Sequence, residues 1–270
     1  MHRLGVLGWP VAHSRSPAIH NAALAAMGLS DWHYQRLPVP PGLFEETVRA
    51  LGAAGFHGAN VTIPHKRAAL ELASEASRRA REIGAANTLT FSAGGEIMAE
   101  NTDAPGLIAA LGFSARGMSA QVLGAGGSAR AVVWALLDAG AGPVWVWNRT
   151  AQRAERLAEE LGAEATDAPR TADLLVNCTS VGLSVERSAT EDRALNQQGL
   201  TGDQVGEYSH VADLVYRSGS TPLLAAAQAR GVATTDGLEI LIAQGALSLE
   251  SWTQRAVPLD AMRAAAASDP

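Results

Sequence analysis

Short apolar runs alternate with amphipathic segments through the first hundred residues of the chain. The segments at 16–28 and 43–55 are amphipathic and end in glycine, which is typical of helices. Strands are predicted at 3–8, 33–39 and 58–63, further helices at 65–73 and 81–85, and a hairpin at 87–101 that turns over SAGG. Strands that alternate with helices of about 10–15 residues predict βαβ units and a largely parallel sheet.

A second α/β series starts near residue 118. It opens with a strand, a glycine turn and a helix over 119–140, and the same pattern then continues. The remaining predicted elements are strands at 143–150, 173–180 and 211–216 and helices at 152–162, 222–231 and 237–256. The segment 183–210 is polar and aperiodic, which predicts a long loop. No strand follows the last helix, so we expect that helix to pack back on an earlier part of the chain.

Composition is that of an ordinary globular protein and argues against several kinds of partner. The 270 residues suit two domains at about 150 residues each, and 47% are hydrophobic against 18% charged. A formal net charge of −6 argues against nucleic acid or an anionic membrane as the main partner. The single cysteine, Cys178, cannot form an internal disulfide, and no His/Cys spacing indicates a metal site. With neither a signal-peptide core nor an apolar run of about 18 residues, we expect a soluble, cytoplasmic protein.

The glycine turn of the second series, VLGAGGSARA, fits the pattern G-x-G-x-x-A at Gly124, Gly126 and Ala129. Between a strand and a helix, the first glycine permits the tight turn and the second lets the backbone approach a pyrophosphate. The helix N-terminus then offers unpaired N–H groups and the positive end of its dipole to that anion. We therefore predict a dinucleotide site here; the alternative is a glycine turn that binds no ligand.

The end of the next strand discriminates between the two pyridine nucleotides. NAD usually meets an Asp or Glu there, about 20 residues after the glycines. This chain instead has WNRTAQR, with Asn148, Arg149, Thr150 and Arg153 and no acid. Two arginines can bind a 2′-phosphate through charge-assisted hydrogen bonds, which favours NADP over NAD. The alternative is that Arg153 only pairs with the glutamates of its own solvated helix.

Lys66 is the only lysine in a chain whose lysines and arginines together number 21. A coding bias toward arginine explains the scarcity, because the two side chains often substitute for one another on a surface. They are not interchangeable where a proton must be given up, since the guanidinium stays charged while the ammonium titrates. Lys66 also follows a strand in NVTIPHK, and functional residues of open α/β sheets gather at the carboxyl ends of strands. Composition alone leaves chemistry and accident equally open.

Several polar residues at the ends of predicted elements are candidates for binding a small substrate. Ser14 and Ser16 precede a helix predicted to start at Pro17, where both hydroxyls could meet one small anion; the alternative is helix capping. Asn87 and Asp103 lie at the edges of apolar strands in GAANTL and AENTDAPG. Asn-Thr pairs also suit turns, and Asp103 also suits an N-cap. It is the combination of these groups around a pyridine-nucleotide cleft that indicates a substrate site.

These motifs together identify a family. The chain resembles the shikimate dehydrogenases from GWPVAHSRSPAIHN to DGLEILIAQGALSLESW, which is nearly its whole length. The shared motifs are S-x-S-P, N-V-T-[IV]-P-x-K, G-A-x-N-T, N-T-D-x-x-G, G-A-G-G-x-x-R, N-R-T-x-x-R, D-L-V-Y and a late D-G-L…Q-[AG]. The resemblance implies reversible, NADPH-dependent reduction of 3-dehydroshikimate to shikimate in the route to aromatic amino acids. It also implies an α/β fold with an N-terminal substrate domain (1–103 and 238–270), a Rossmann-type NADP-binding domain (104–237) and an active-site cleft between them.

The resemblance also implies roles for individual positions. Lys66 matches the catalytic lysine and Asp103 its partner, the pair gripping the ring hydroxyls, while Ser14 and Ser16 match the serines that hold the substrate carboxylate. The other implied substrate-binding positions are Asn60, Thr62, Asn87, Tyr216 and Gln244. The implied cofactor-binding positions are the diphosphate loop Gly124, Ala125, Gly126, Gly127, Ser128 and Ala129, the 2′-phosphate clamp Asn148, Arg149, Thr150 and Arg153, and, along the nicotinamide, Thr179, Leu214 and Gly237.

Some positions depart from the family pattern, namely Arg15 within the serine motif, Arg78 in place of an acid, Cys178 in place of alanine, and the polar segment 183–210. Three rival functions stay open: a quinate or dual quinate/shikimate dehydrogenase, a non-catalytic NADP-binding regulator, and another reductase on the same scaffold, such as a folate-linked one. The last should lack the Ser14–Ser16 site. We expect a monomer or homodimer that binds a small-molecule substrate and no metal.

Overall fold

The chain forms two compact units. The computed structural model describes residues 2–183, 191–217 and 219–267. Unit 1 contains the residues up to Gly106 together with those from Ile242 onward, and unit 2 contains Leu107–Leu241. Across the described parts of the chain, no helix is long and apolar enough to cross a membrane.

Unit 1 is built on a six-stranded mixed sheet. Its strands are β1 (His2–Gly8), β2 (Trp32–Pro38), β3 (Phe56–Val61), β4 (Glu75–Ala76), β5 (Thr88–Phe91) and β6 (Ile97–Glu100). They lie in the order β2-β1-β3-β5-β6-β4, with β1 parallel to β2 and β3, and β5 antiparallel to β3 and β6. This sheet is less parallel than the alternation of elements predicted, because the correctly predicted β5–β6 hairpin contributes two antiparallel pairings.

Helices connect the strands of both units. They are α1 (Ser16–Ala26), α2 (Phe44–Ala53), α3 (Lys66–Glu71), α4 (Arg78–Ile83), α5 (Asp103–Leu111), α6 (Gly127–Asp138), α7 (Ala151–Leu161), α8 (Glu191–Gln197), α9 (Gly202–Val205), α10 (Pro222–Ala229), α11 (Gly237–Thr253) and α12 (Leu259–Ala267). The core of unit 1 lies between the sheet and α2, whose Phe44, Val48 and Leu51 pack with Leu7 and Leu89 of the strands. The chain passes from one unit to the other within α5 and again within α11.

The long helix α11 packs on the unit 1 sheet through residues spaced four apart. Gln244, Ser248 and Trp252 therefore lie on one face of the helix. The Nε1 of Trp252 donates to the backbone oxygen of Leu89 at 3.1 Å, and the indole lies where a Cβ on Gly58 of β3 would collide with it. The helix needs no following strand because it completes the unit that the first hundred residues form.

The C-terminal helix α12 was not among the predicted elements, since LDAMRAAAA has no clear apolar face at the sequence level. It packs against α1, and its Met262 and Ala266 are buried. Arg15, which departs from the family pattern, donates from its guanidinium to the backbone oxygen of Ala266 at 2.5 Å. That arginine therefore ties the start of α1 to the end of α12.

Unit 2 is a doubly wound parallel α/β domain. Its strands are β7 (Ala120–Leu123), β8 (Val144–Trp147), β9 (Glu164–Ala165), β10 (Leu174–Asn177), β11 (His210–Asp213) and β12 (Ala233–Thr235). The order β9-β8-β7-β10-β11-β12, with every pairing parallel, is the Rossmann order 3-2-1-4-5-6. In such sheets ligands bind outside the carboxyl ends of the strands where the order reverses, and the glycine loop after β7 lies at that point.

The prediction of one long loop over 183–210 is wrong for its second half. Residues 184–190 lie outside the described part of the chain, but α8 and α9 follow them and pack against α10. Leu195 and Val205 are fully buried there, and Thr201 forms a capping box with Gln204. The apolar residues are too few and too widely spaced in a polar background to show helical periodicity, so tertiary packing determines these helices.

Candidate active site

Lys66 is positioned by the turn that joins β3 to α3. The N–H of His65 donates to the backbone oxygen of Thr62 at 2.9 Å, and α3 begins at Lys66. The His65 ring stacks on Phe44 at 4.3 Å, and its Nε2 bonds the backbone oxygen of Val39 at 2.8 Å. Burial lowers the pKa of His65, so the neutral ring is favoured. Sequence reasoning gave His65 no role, whereas the structure shows that it anchors the turn that carries Lys66.

Lys66 and Asp103 form a close and largely buried ion pair. The Lys66 Nζ donates to Asp103 Oδ2 at 2.6 Å, and only 11% and 16% of the two side chains are exposed. The other carboxylate oxygen, Oδ1, accepts from the Asn87 amide at 2.8 Å. Both carboxylate oxygens of Asp103 are thus occupied, one by Lys66 and one by Asn87. This favours a role for Asp103 as the partner of Lys66 over a role as a helix cap. An ammonium held beside a carboxylate with little water can bind hydroxyls or stabilise a developing alkoxide.

Asn87 connects this pair to α11. Its Oδ1 accepts from the N–H of Thr102 at 2.7 Å and from the hydroxyl of Thr88 at 3.1 Å. Its Nδ2 approaches Asp103 Oδ1 and, at 3.1 Å, Oε1 of Gln244. The structure therefore brings Lys66, Asp103, Asn87 and Gln244 into one cluster within unit 1. Thr102 was missed as a supporting residue, although it stands inside the motif N-T-D-x-x-G.

Asn60 and Thr62 lie beside this cluster at the end of β3. Asn60 is buried, its Oδ1 accepts from the Tyr34 hydroxyl at 2.8 Å, and its Nδ2 donates to Ser248 at 3.0 Å. The Asn60 amide is thus occupied by internal hydrogen bonds that join β2, β3 and α11, an arrangement suited to positioning. Thr62 is partly exposed at the mouth of the turn before Lys66.

Ser14 and Ser16 are both buried at the start of α1, which begins one residue earlier than predicted. Ser14 Oγ accepts from the N–H of Ser16 at 3.3 Å, so the capping alternative applies weakly to Ser14. The Ser16 side chain caps nothing, and in the described residues its hydroxyl has no hydrogen-bond partner. Arg36 holds the Ser14 backbone oxygen with two N–H groups at 3.0 and 2.7 Å. A rigid loop thus presents an available hydroxyl at a helix N-terminus, where an anion is favoured.

His20 supports this loop from inside α1 and makes the fold sensitive to acid. Its Nδ1 bonds the backbone oxygen of Ser16 at 2.8 Å, and its ring stacks on Tyr34 at 4.0 Å. Burial lowers the pKa of His20 from 6.5 to about 4. In this range the unfolded state binds more protons than the native state, so stability is lost as the pH falls through 6.5 toward 4.

Replacing His20 with phenylalanine should remove part of that acid sensitivity. The histidine contributes a loss of about 2 kcal/mol in unfolding free energy between pH 7 and pH 5. Urea unfolding of wild type and His20→Phe at both pH values measures the difference. His13→Gln, at an exposed histidine of the preceding loop, is the matched control and should keep the full wild-type difference. An equal pH difference in wild type and His20→Phe contradicts this assignment.

The glycine loop of unit 2 has the shape that a pyrophosphate needs. Gly124 has φ +106°, and a Cβ there would lie 3.2 Å from the carbonyl carbon of Cys178. Gly126 is the N-cap of α6, no side chain caps that helix, and a Cβ on Gly126 would meet nothing within 4 Å. Ala129 is fully buried. The space beyond Gly126 and the uncapped N–H groups fit a dinucleotide diphosphate held by residues 124–129.

Arg149 and Arg153 follow β8 and are both exposed. Within the described residues neither guanidinium forms an ion pair or a side-chain hydrogen bond, while Glu160 of α7 pairs with Arg130 at 2.5 Å. The alternative that Arg153 pairs with glutamates of its own helix is therefore not supported. Asn148 donates to the backbone oxygen of Thr150 at 2.9 Å, which shapes the turn between the two arginines.

The remaining predicted positions lie at the carboxyl ends of β10, β11 and β12 in unit 2. Thr179 follows β10, Leu214 follows β11, and Gly237 begins α11. Tyr216 lines a cavity of about 160 Å³ together with Val215, Thr221 and Asp236. Sequence reasoning missed Asp213, which is fully buried beside these segments and stands inside the motif D-L-V-Y. Burial raises the pKa of Asp213 to about 6, and hydrogen bonds from Thr221 and neighbouring donors oppose that rise.

The fold and these two clusters define a two-domain α/β protein of the dinucleotide-binding class. Its sequence matches the profile of the shikimate dehydrogenase substrate binding domain over residues 6–89. It also matches the shikimate/quinate 5-dehydrogenase profile over 108–197 and the shikimate 5′-dehydrogenase C-terminal domain over 237–267. The chain belongs to the shikimate dehydrogenase family.

Individual relatives agree with this membership. The NADP⁺-dependent shikimate dehydrogenase of Methylobacterium radiotolerans is 46% identical, with 93% of this chain and 90% of that protein covered. The Thermus thermophilus shikimate 5-dehydrogenase, solved with NADP(H) and shikimate, is 42% identical with a TM-score of 0.87 and 98% of both chains covered. A ligand-free 5-ketofructose reductase from a Gluconobacter strain is 30% identical with a TM-score of 0.83, covering 97% of this chain and 96% of that one.

Proposed function

We propose that this protein is an NADP-dependent shikimate dehydrogenase that interconverts 3-dehydroshikimate and shikimate. The observation that carries the proposal is the buried Lys66–Asp103 pair with Asn87 and Gln244, which suits a polyhydroxylated ring. The arginines after β8 support NADP, because in the described residues no acid or other side chain engages them. Relatives named for this activity match across nearly the whole chain.

The chain's own residues supply binding and proton transfer. Bound NADPH supplies the hydride that reduces the C3 ketone, and NADP⁺ accepts it in the reverse direction. The ammonium of Lys66 donates a proton to the C3 oxygen as negative charge develops there, and the neutral amine takes it back during oxidation. Asp103 orients the ammonium and accepts a hydrogen bond from the adjacent ring hydroxyl.

Substrate orientation comes from two groups of residues. Ser14 and Ser16 hold the carboxylate at the start of α1, where the Ser16 hydroxyl and the helix N-terminus favour an anion. Asn87 and Gln244 bind ring hydroxyls, while Asn60 keeps β3 and α11 in register behind them. Tyr216, which lines the cavity in unit 2, is a further proposed substrate-binding residue.

An absorbance assay of NADP⁺ reduction tests the proposal. Shikimate with NADP⁺ should give the highest kcat/KM among the four pairings of shikimate or quinate with NADP⁺ or NAD⁺. A higher value for quinate would make the protein a quinate dehydrogenase, and cofactor binding without turnover would make it a regulator. NADPH oxidation by 5-ketofructose, followed in parallel, should be absent, because that sugar has no carboxylate for Ser14 and Ser16.

Gly106 provides a mutational test of the substrate cluster. A Cβ on Gly106 of α5 would lie 2.6 Å from Cβ and 2.8 Å from Cα of Gln244, so only glycine allows α5 and α11 to approach here. Gly106→Ala should displace Gln244 from Asn87 and raise the KM for shikimate about tenfold or more. The matched control is Gly52→Ala in α2, whose Cβ would make an ordinary contact at 3.6 Å and should leave steady-state kinetics unchanged. An unchanged KM for shikimate in Gly106→Ala would contradict the assignment of Gln244 as a substrate-binding residue.

We also propose that the enzyme acts in the cytoplasm as a monomer or homodimer. The single cysteine and the metabolite substrate support a cytoplasmic location. Light scattering after gel filtration distinguishes a monomer from a homodimer.

A further inference from the structure

Asp213 is a buried carboxylate that joins three separate segments of unit 2. Its Oδ1 accepts from Asn177 Nδ2 at 2.7 Å and from the N–H of Val215 at 3.0 Å. Its Oδ2 accepts from the hydroxyl of Thr221 at 2.7 Å. These donors come from the end of β10, the loop after β11 and the N-terminus of α10. We call Asp213, Asn177 and Thr221 the Asp213 hub.

On one side the hub holds the segment after β10. Asn177 Oδ1 accepts from both the N–H and the hydroxyl of Thr179, at 3.0 and 2.7 Å. This segment lies against the glycine loop, because a Cβ on Gly124 would come within 3.3 Å of Thr179 Cγ2. The orientation of Thr179 therefore depends on Asn177, whose amide is in turn fixed by Asp213.

On the other side the hub holds the peptide that follows β11. The Val215 N–H is bonded to Asp213, and the Val215 carbonyl oxygen faces Gly237, where a Cβ would lie only 2.6 Å away. Leu214 is part of the same closely packed contact. Thus Thr179, Leu214 and Gly237 are all held by segments that the hub fixes, while the hub itself is buried beneath them.

We propose that the Asp213 hub positions the nicotinamide end of the cofactor and leaves the adenosine end unaffected. In a doubly wound sheet each half binds one mononucleotide, and β10–β12 form the half opposite the arginines after β8. The inference rests on the proposed NADP dependence. Asp213 touches no reacting atom in this scheme, so it is a positioning residue that acts through Thr179 and the Leu214–Val215 peptide.

Binding of two ligands tests the two halves of the cofactor site independently. NADPH occupies both halves, whereas adenosine 2′,5′-bisphosphate lacks the nicotinamide and occupies only the adenosine half. Asp213→Asn and Thr221→Val should each weaken NADPH binding about fivefold to tenfold, the range for losing one member of a hydrogen-bond network. Binding of the bisphosphate should be unchanged. Thr221→Ser keeps the hydroxyl and should restore NADPH affinity. Tyr208→Phe, which deletes one hydrogen bond to Arg170 elsewhere in unit 2, is the matched control and should change neither affinity.

Calorimetric titrations on folded variants, verified by thermal melting, distinguish the outcomes. If the variants weaken the binding of both ligands equally, or do not weaken the binding of NADPH, the inference is overturned. The Asp213 hub would then only stabilise the fold. If Asp213→Asn fails to fold, the Thr221→Val and Thr221→Ser pair gives the same comparison. Should wild type bind NADPH selectively but not oxidise shikimate, the proposed reaction fails while the positioning role is still decided by the affinity ratio.

Discussion

Replacing Lys66 with arginine is expected to lower kcat for shikimate oxidation about 10²- to 10⁴-fold, the usual contribution of a general acid or base. The guanidinium keeps the positive charge but does not titrate, so it cannot accept the hydroxyl proton. It is also larger, and the Lys66 side chain that it replaces is only 11% exposed, with its Nζ 2.6 Å from Asp103 Oδ2. Steady-state assays across pH with shikimate and NADP⁺ measure the loss.

The matched control for this substitution is the neighbouring Arg67, which is exposed on α3. Arg67→Lys should leave kcat unchanged and would show that the two side chains are interchangeable one position away. If Lys66→Arg retains near-wild-type turnover, a titrating lysine is not required. Lys66 would then act as an electrostatic clamp on the C3 oxygen, and the single lysine of the chain would be an accident of composition.

The sequence predicted Lys66 and Asp103 as the catalytic pair, and the structure brings the two side chains together, but the sequence did not predict the packing that assembles their surroundings. Motifs placed Asn87 and Gln244 in the site, yet they are far apart in the chain and meet only because α11 returns to unit 1. That return depends on two glycines, Gly106 and Gly58, which have no side chain to occupy the contact. Close approaches of this kind leave no periodicity in a sequence.

Supporting residues were harder to predict for the same reason. His65 looked like a bystander because its partners, Phe44 and the Val39 carbonyl, come from a distant segment. Asp213 stood in a strand motif with no predicted role, although its hydrogen bonds join the end of β10, the loop after β11 and the start of α10. Local pattern predicts which backbone element a residue occupies, whereas the partners of a buried polar side chain depend on the tertiary fold.

The second large expected effect is the loss of NADP⁺ affinity when the two arginines of the 2′-phosphate clamp are replaced. The double variant Arg149→Gln/Arg153→Gln is expected to weaken NADP⁺ binding about 100-fold, since each hydrogen bond to a charged group contributes about 1.5–3 kcal/mol. Binding of NAD⁺, which lacks the phosphate, should change little, so the preference for NADP⁺ should be largely lost. Both guanidiniums are exposed and, in the described residues, have no internal partner, so their removal should not disturb the fold. Calorimetric titration and KM values for both nucleotides measure the change.

Arg156 on α7 supplies the control for the clamp. It is exposed on the helix that carries Arg153, one turn further along, so Arg156→Gln removes one positive charge from the same surface, against two in the double variant. If general electrostatic attraction held the cofactor, Arg156→Gln would cost about half as much NADP⁺ binding free energy as the double variant, and added salt would abolish both losses. If the arginines instead contact the phosphate directly, only the double variant shows the 100-fold effect expected from about 3 kcal/mol. Equal losses for NADP⁺ and NAD⁺ in that variant would contradict a 2′-phosphate site.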